Sequence, residues 1–327
     1  MKRYWVISVW LMLMAALQSC AQDSLSLNLV SNNLITDLVE NGQYSGITYL
    51  GGTHYAVVHD KLGGGGIVFF DIHFREDGTV AFAVKNVPPG TEGAGIDSEG
   101  IAFVPSTRTL FVSAEADQSI REYDLKGYPT GRKINVPADL GIDNITPNQG
   151  FEALTYNAQT HLFWTVTEGP LLSDAQTPGL LRLQSFGEDL EPAHRYLYQM
   201  EEPEASADGA QAYVHGVPAL AALPDGRLLV LEREVFVPAG GLGDKLSGAF
   251  TSTKIFVVKP VAGKTGVLRK RLVKYFRSSA LSSFANYEGM CLGPVLPDGR
   301  PFLLLIPDSQ NGSGGLTQEY LRVYAIE

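Results

Sequence analysis

The sequence predicts an all-β fold, a β-propeller, and three observations carry that reading. Five segments of the 327-residue chain repeat one strand plan. The apolar runs are short, β-branched and punctuated by turn residues, which disfavours helix. A spare strand near the N-terminus, Ser24 to Val30, is available to pair with the last repeat and close the ring. Five blades is the literal count; a sixth, degenerate blade is compatible with the loose spacing of the repeats.

Each repeat opens on a short apolar strand after a small or acidic residue: Ser45 to Tyr49, Glu99 to Phe103, Gly150 to Leu154, Val217 to Leu220 and Glu288 to Leu292. Turn signals follow, such as Gly51-Gly52 and Pro224-Asp225-Gly226. A second apolar strand then ends on an acid: Asp60, Glu115, Glu168, Glu232 and Asp308. Third strands run over 66–74, 119–125, 180–186, 253–258 and 320–326. A more polar fourth strand follows in the first four repeats, over 79–87, 132–136, 195–200 and 267–276. The fifth repeat lacks a fourth strand of its own. The stretches 201–215 and 237–252, polar or glycine-rich, are expected to be long loops.

The first twenty residues stand apart from this plan. Lys2 and Arg3 precede an uncharged apolar run, Trp5 to Leu17, that is short for a membrane span and reads as a signal peptide. Leu17-Gln18-Ser19-Cys20 resembles a bacterial lipobox. Residues 1–20 are therefore expected to be a lipoprotein signal peptide with Cys20 lipidated, and residues 21–327 one propeller domain. Ordinary secretion with cleavage near Ala21 is the alternative. The expected location is the bacterial cell envelope, as a periplasm-facing or surface lipoprotein, with the outer membrane suggested by Ala21. Membrane contact is expected only through the N-terminal lipid. The second cysteine, Cys291, sits in an apolar stretch and reads as a buried, inert thiol.

The formal net charge of −10 becomes −12 once Lys2 and Arg3 leave with the leader. Nucleic acid is an improbable partner for such a chain, and cations or cation-bridged substrates suit it better. Inner strands of a propeller line one axis, so acids at matched places form rings. One ring is Glu99, Glu152 and Glu288, beside the opening strands. The other is Asp60, Glu115, Glu168, Glu232 and Asp308. Carboxylates converging on one axis repel, and a hard divalent cation resolves the repulsion. Ca²⁺ accepts six to eight oxygens in flexible geometry, whereas no histidine or cysteine cluster suggests Zn²⁺. Glu99, Glu168, Glu232 and Asp308 are the favoured ligands, with Asp60 and Glu115 beside them. Pairing of these acids with Arg121, Arg182 or Arg233, or solvent exposure at the rim, is the alternative.

Asn148 and Asn286 are placed to complete a coordination shell or to contact substrate. His59 and His215 flank the expected channel and titrate near neutral pH. Lys61 and Arg233 are candidates to receive an anion such as phosphate.

The segments Asp97-Ser98-Glu99-Gly100-Ile101, Asn148-Gln149-Gly150-Phe151-Glu152-Ala153-Leu154, Thr167-Glu168-Gly169-Pro170-Leu171, Leu231-Glu232-Arg233-Glu234, Asn286-Tyr287-Glu288-Gly289 and Pro307-Asp308-Ser309-Gln310-Asn311 resemble the phytase-like family, described by esterase-like activity. The resemblance runs from about residue 40 to 327. It implies a β-propeller and calcium-assisted hydrolysis of phosphate or carboxylic esters, on a small-molecule substrate. No obvious cluster of lysines and arginines for phytate itself is present. In such a hydrolase the cation polarises the ester and lowers the pKa of bound water, Glu152 or Glu288 takes the proton, and His59 assists. A non-catalytic propeller, stabilised by Ca²⁺ and binding a glycan, peptide or protein, is the second reading.

Overall fold

A computed structural model describes residues 24–327 apart from 36, 37, 297, 298 and 316. The expected leader and Cys20 lie outside the described residues. Among those described, twenty strands form five four-stranded antiparallel sheets. The first blade is β2 (Tyr44–Gly51), β3 (His54–His59), β4 (Ile67–Phe74) and β5 (Val80–Asn86). The second is β6 (Ser98–Val104), β7 (Thr109–Ala114), β8 (Ser119–Tyr123) and β9 (Pro129–Lys133). The third is β10 (Phe151–Asn157), β11 (Leu162–Thr167), β12 (Leu180–Gly187) and β13 (Pro192–Gln199). The fourth is β14 (Ala210–Ala222), β15 (Leu228–Pro238), β16 (Phe250–Val258) and β17 (Lys270–Ser279). In the fifth, β18 (Asn286–Val295), β19 (Pro301–Asp308) and β20 (Tyr320–Ile326) are completed by β1 (Leu27–Leu34).

The N-terminal strand pairs antiparallel with the last one, from Leu27 opposite Ile326 to Leu34 opposite Tyr320. This is the closure the sequence predicts, shifted a few residues downstream. It gives the last blade its fourth strand from the opposite end of the chain, so the ring has no seam. The five-blade count holds, and no sixth sheet occurs among the described residues.

The fourth blade departs from expectation. Part of each supposed loop is strand: β14 starts at Ala210, β15 runs on to Pro238 and β16 begins at Phe250, and the 13- and 11-residue strands β14 and β15 form a tall hairpin. At the open end of this hairpin, between β15 and β16, lies the short helix α1 (Leu242–Gly248). Residues 210–216 look polar in sequence because this part of the hairpin stands above the blade and is only partly buried.

Apolar side chains on both faces of each sheet pack into five separate wedges, one between each pair of neighbouring blades. The inner strands meet in the cyclic order β2, β6, β10, β14, β18. All five break register at one level, between Tyr44 and Ile47, Ser98 and Ile101, Phe151 and Ala153, Gly216 and Ala219, and Tyr287 and Gly289. These β-bulges re-aim a side chain from the sheet toward the axis. They place Ser45, Glu99, Glu152 and Glu288 on the channel.

The same level explains why the inward-pointing residue, Ser45, Glu99 or Glu288, is followed by glycine in three blades. A Cβ on Gly46 would lie 2.7 Å from the Glu99 carbonyl oxygen, one on Gly100 2.4 Å from that of Glu152, and one on Gly289 2.3 Å from that of Ser45. The glycines let neighbouring inner strands close to backbone contact around the axis. The acid and its glycine thus belong to one device, which points a carboxylate inward and shuts the channel beneath it.

Cys291 is buried and desolvation pushes its thiol well above the usual range, consistent with an inert packing role.

Candidate functional site

The residues at the strand ends above the bulges define the upper face. Eight carboxylates converge there: Asp60, Asp97, Glu99, Glu115, Glu152, Glu168, Glu288 and Asp308. Among the described residues only Arg233 and Lys61 oppose them as cations within the cluster. Burial pushes the carboxyls of Glu99, Glu152 and Glu288 up, and their mutual repulsion adds to it. Asp308 is pushed up to about 8 by burial and by Glu288, against hydrogen bonds from the Gln310 backbone and side chain. Glu115 is also raised by burial, although its Oε1 accepts the Gly150 N–H at 2.6 Å.

One half of the cluster is organised by Arg233. Its guanidinium is buried, 4% exposed, between three acids. Nη2 donates to Glu288 Oε1 at 2.8 Å and lies 3.7 Å from Glu152 Oε2, and Nη1 lies 2.9 Å from Glu168 Oε1. Burial works against the charge, and Glu168, Glu288 and Glu152 together outweigh it, keeping Arg233 protonated. The Arg233–Glu168 pair is off the line a hydrogen bond needs, and neither Nε nor Nη1 of Arg233 has an acceptor. Asn286 Nδ2 donates to Glu288 Oε1 at 2.7 Å, while Asn286 Oδ1 is buried without a partner.

The other half lies across blades one and two. Asp60, Asp97 and Glu99 each present an oxygen within 4.8 Å of the others. Asp60 Oδ1 is buried with no hydrogen-bond partner. Ser45 helps to hold Glu99 and sits 3.5 Å from Glu288 Oε2, linking the two halves. Lys61 Nζ bridges Asp60 Oδ2 at 2.8 Å and Asp97 Oδ1 at 3.0 Å. Its side chain is 56% exposed, so it can swing to water at little cost. Three hard anionic oxygens, from residues that also include the buried, unpartnered Asp60 Oδ1, suit a divalent cation such as Ca²⁺.

Most of the residues singled out in the sequence come together here, with three exceptions. Glu232 is turned away: it accepts from Tyr198 Oη at 2.6 Å, Lys270 Nζ at 2.7 Å and the Glu201 N–H at 3.0 Å, stitching blade three to blade four. Register explains it. Two residues beyond the first ladder pair past the bulge stand Glu168 in blade three, Asp308 in blade five and Arg233 in blade four. Successive residues of a strand face opposite sides, so Arg233 holds the axial place and Glu232 cannot. Asn148 is exposed in the left-handed conformation (φ 55°) ahead of β10, and among the described residues it makes no hydrogen bond to the carboxylates. His215 lies on the rim between blades three and four, lining a cavity of about 280 Å³ with Pro170, Pro203 and Tyr213. Burial pulls its pKa down, as it does for His59. His59 packs edge-on against Tyr44 and accepts the Lys61 N–H on Nδ1 at 3.3 Å, so it braces the Asp60–Lys61 turn.

Sequence reasoning passed over Asp97 as a ligand and Ser45 as a bridge. The signal for Asp97 is its backbone: φ is 56°, a left-handed residue ahead of a bulged strand, where Asp and Asn are tolerated. Gly150 holds the matching place one blade on, its carbonyl accepting from Glu168 N–H as that of Asp97 accepts from Glu115 N–H.

Fold and site together define a five-bladed propeller with a carboxylate-rich upper mouth. The chain belongs to the Phytase-like family, whose model, described as esterase-like activity of phytase, matches residues 39–310. No curated protein matches the chain. Among solved structures, similarity is found to a luciferin-regenerating enzyme, at 13% identity over 90% of this chain and 94% of that one, TM-score 0.43. The hydrazine synthase of Kuenenia stuttgartiensis is similar at 10% identity over 87% of each chain, TM-score 0.39. The β-propeller domain of Cps50 (Swd1) of Myceliophteria thermophila is similar at 11% identity over 91% and 99%, TM-score 0.36. At these levels no activity is carried over from them.

Proposed function

We propose that the chain is a divalent-cation-dependent hydrolase of phosphate or carboxylic esters, with Ca²⁺ the favoured ion, working at the upper mouth of the propeller. The observation that supports this most is the orphaned Asp60 Oδ1 within the Asp60, Asp97 and Glu99 group. These three residues would hold the ion, which when bound polarises the ester and lowers the pKa of water. Arg233 Nε and Nη1, two buried donors without acceptors, suit an anionic oxygen of the substrate or of the developing transition state. Glu152 is the proton acceptor. Glu288 is fixed by hydrogen bonds from Asn286 and Arg233, whereas Glu152 has only the Arg233 contact at 3.7 Å. Burial, with Glu168 beside it, holds its carboxyl well above the usual carboxylate range, the direction that makes a carboxylate a better proton acceptor.

Turnover of nitrophenyl phosphate and short acyl esters, with and without chelator, tests the reading. We expect hydrolysis that chelation abolishes and Ca²⁺ restores, and a kcat lower by about 100-fold or more in Glu152→Gln at unchanged thermal stability. Turnover that survives chelation, or in Glu152→Gln, contradicts it. A non-catalytic, calcium-stabilised binding propeller is favoured by one observation: Arg233 already neutralises part of the acid cluster. In that case chelation lowers the melting temperature and no ester is turned over.

We also propose, from the lipobox-like residues 17–20, that the mature chain is anchored in the cell envelope by a lipid on Cys20.

A further inference from the structure

The charge of this acidic chain is unevenly placed. Between Lys259 and Arg277 stand seven of its 25 lysines and arginines, and no Asp or Glu occurs from Lys259 to Tyr287. This segment is the turn after β16 and the outermost strand of blade four, β17. Its lower end frames a cavity of about 300 Å³ lined by Arg227, Lys259, Arg269, Lys270 and Arg271 over Val257. Some of these charges are committed: Arg227 to Asp225, and Lys270 to Glu201 and Glu232. Lys259, Lys264 and Arg269 are exposed and carry no ion pair among the described residues. Val261, Val267 and Leu272 stand exposed among them, 39%, 54% and 47%.

The chain begins its path into the fold at this place. Arg271 Nη1 donates to the Leu25 carbonyl at 3.1 Å and Lys274 Nζ to the Leu27 carbonyl at 3.2 Å. Leu27 pairs with Ile326 at the lower end of β20, and Lys270 pairs with Val258 at the lower end of blade four. Both therefore lie on the face opposite the carboxylate mouth. Five chain steps lead from Cys20 to Leu25, so a lipid-bearing Cys20 would stay within about 18 Å of this basic segment. The lower end of the channel is itself an apolar funnel of about 240 Å³, lined by Ile47, Tyr49, Phe103, Tyr156 and Leu292.

We infer that the lower face, led by Lys259, Lys264 and Arg269 with the valines between them, is a docking surface for an anionic phospholipid bilayer. Lysines and arginines interleaved with exposed apolar residues are the pattern that adds headgroup attraction to shallow insertion. Docked this way, the carboxylate mouth faces water, away from the anionic lipid that would repel its substrates. The orientation relative to the anchor rests on the lipid proposed for Cys20; the binding surface does not.

The chain from Ala21 onward, which keeps every described strand and lacks Cys20, is mixed with vesicles of phosphatidylcholine alone or with an equal part of phosphatidylglycerol. We expect co-sedimentation with the anionic vesicles alone, declining as salt is raised. In Lys259→Glu/Arg269→Glu the affinity should fall by more than about tenfold. Lys133→Glu/Lys245→Glu, with the same charge change away from the lower face, should bind as the parent chain does. Absence of binding to anionic vesicles, equal loss in both variants, or binding to an anionic polysaccharide in place of vesicles overturns the inference. Labelled-palmitate incorporation into the full chain tests Cys20 separately, and a negative result there leaves the vesicle result standing.

Discussion

Arg233→Met is expected to destabilise the protein by about 3–5 kcal/mol at pH 8, the cost of leaving buried charge without its partner. The substitution keeps the volume of the side chain and removes the cation that faces Glu152, Glu168 and Glu288. Two of these carboxyls, Glu152 and Glu288, are already raised by burial while Arg233 pulls them down, so its loss raises them further. A carboxyl whose folded pKa exceeds its unfolded one binds more protons when folded. Its contribution is complete below the unfolded value, near 4, and disappears as pH rises through the folded value. The deficit of Arg233→Met, read by denaturant unfolding at several pH values, should therefore shrink toward pH 4. Adding Glu152→Gln and Glu288→Gln to Arg233→Met should recover much of the loss at pH 8. A deficit that does not vary with pH would assign Arg233 a packing role alone.

The second large effect concerns Glu99. Replacing it with Gln removes one of three charged oxygens from the group formed with Asp60 and Asp97. Ca²⁺ affinity should fall by at least about 100-fold, since even partners one shell removed from a metal are worth 10- to 100-fold. Stability in the presence of chelator should move the other way. Glu99 is raised well above the usual carboxylate range by burial and by Glu288, so its ionised form burdens the fold and Gln does not. Glu99 and Asp308, the latter pushed up to about 8, must lose protons for the cluster to present its full negative charge. Ca²⁺ affinity should accordingly rise from pH 5 to pH 8 with release of protons, measured by calorimetry in buffers of different ionisation heat. Affinity that is flat with pH, or unchanged in Glu99→Gln, contradicts this account of the site.

Much of this was legible without coordinates, for identifiable reasons. Blade number, closure by the N-terminal strand and the inward placing of Glu99, Glu152 and Glu288 follow from patterns that repeat along the chain. The acid-glycine pairs at 99–100 and 288–289 mark the level where the inner strands bulge and touch. What the pattern misplaces, it misplaces by one residue. Glu232 resembles Glu168 as the acid closing a second strand, yet the ladder puts Arg233 in that register and turns Glu232 between the blades. A one-residue shift reverses the facing of a strand side chain, and sequence spacing with bulges of unequal length does not fix it. Asp97 escaped because it lies outside the strand, held by a left-handed backbone rather than by any periodicity. The tall hairpin of β14 and β15 escaped because its upper part is bare of apolar alternation.

The claim on which the functional account stands is that the oxygens of Asp60, Asp97 and Glu99 share a cation. Anomalous difference density from a crystal grown with Ca²⁺ tests it most directly. The account predicts one strong peak at 2.3–2.6 Å from a carboxylate oxygen of each of the three residues, with Lys61 swung out to solvent. Density with no peak there, and Lys61 still bridging Asp60 and Asp97 at saturating Ca²⁺, would contradict it.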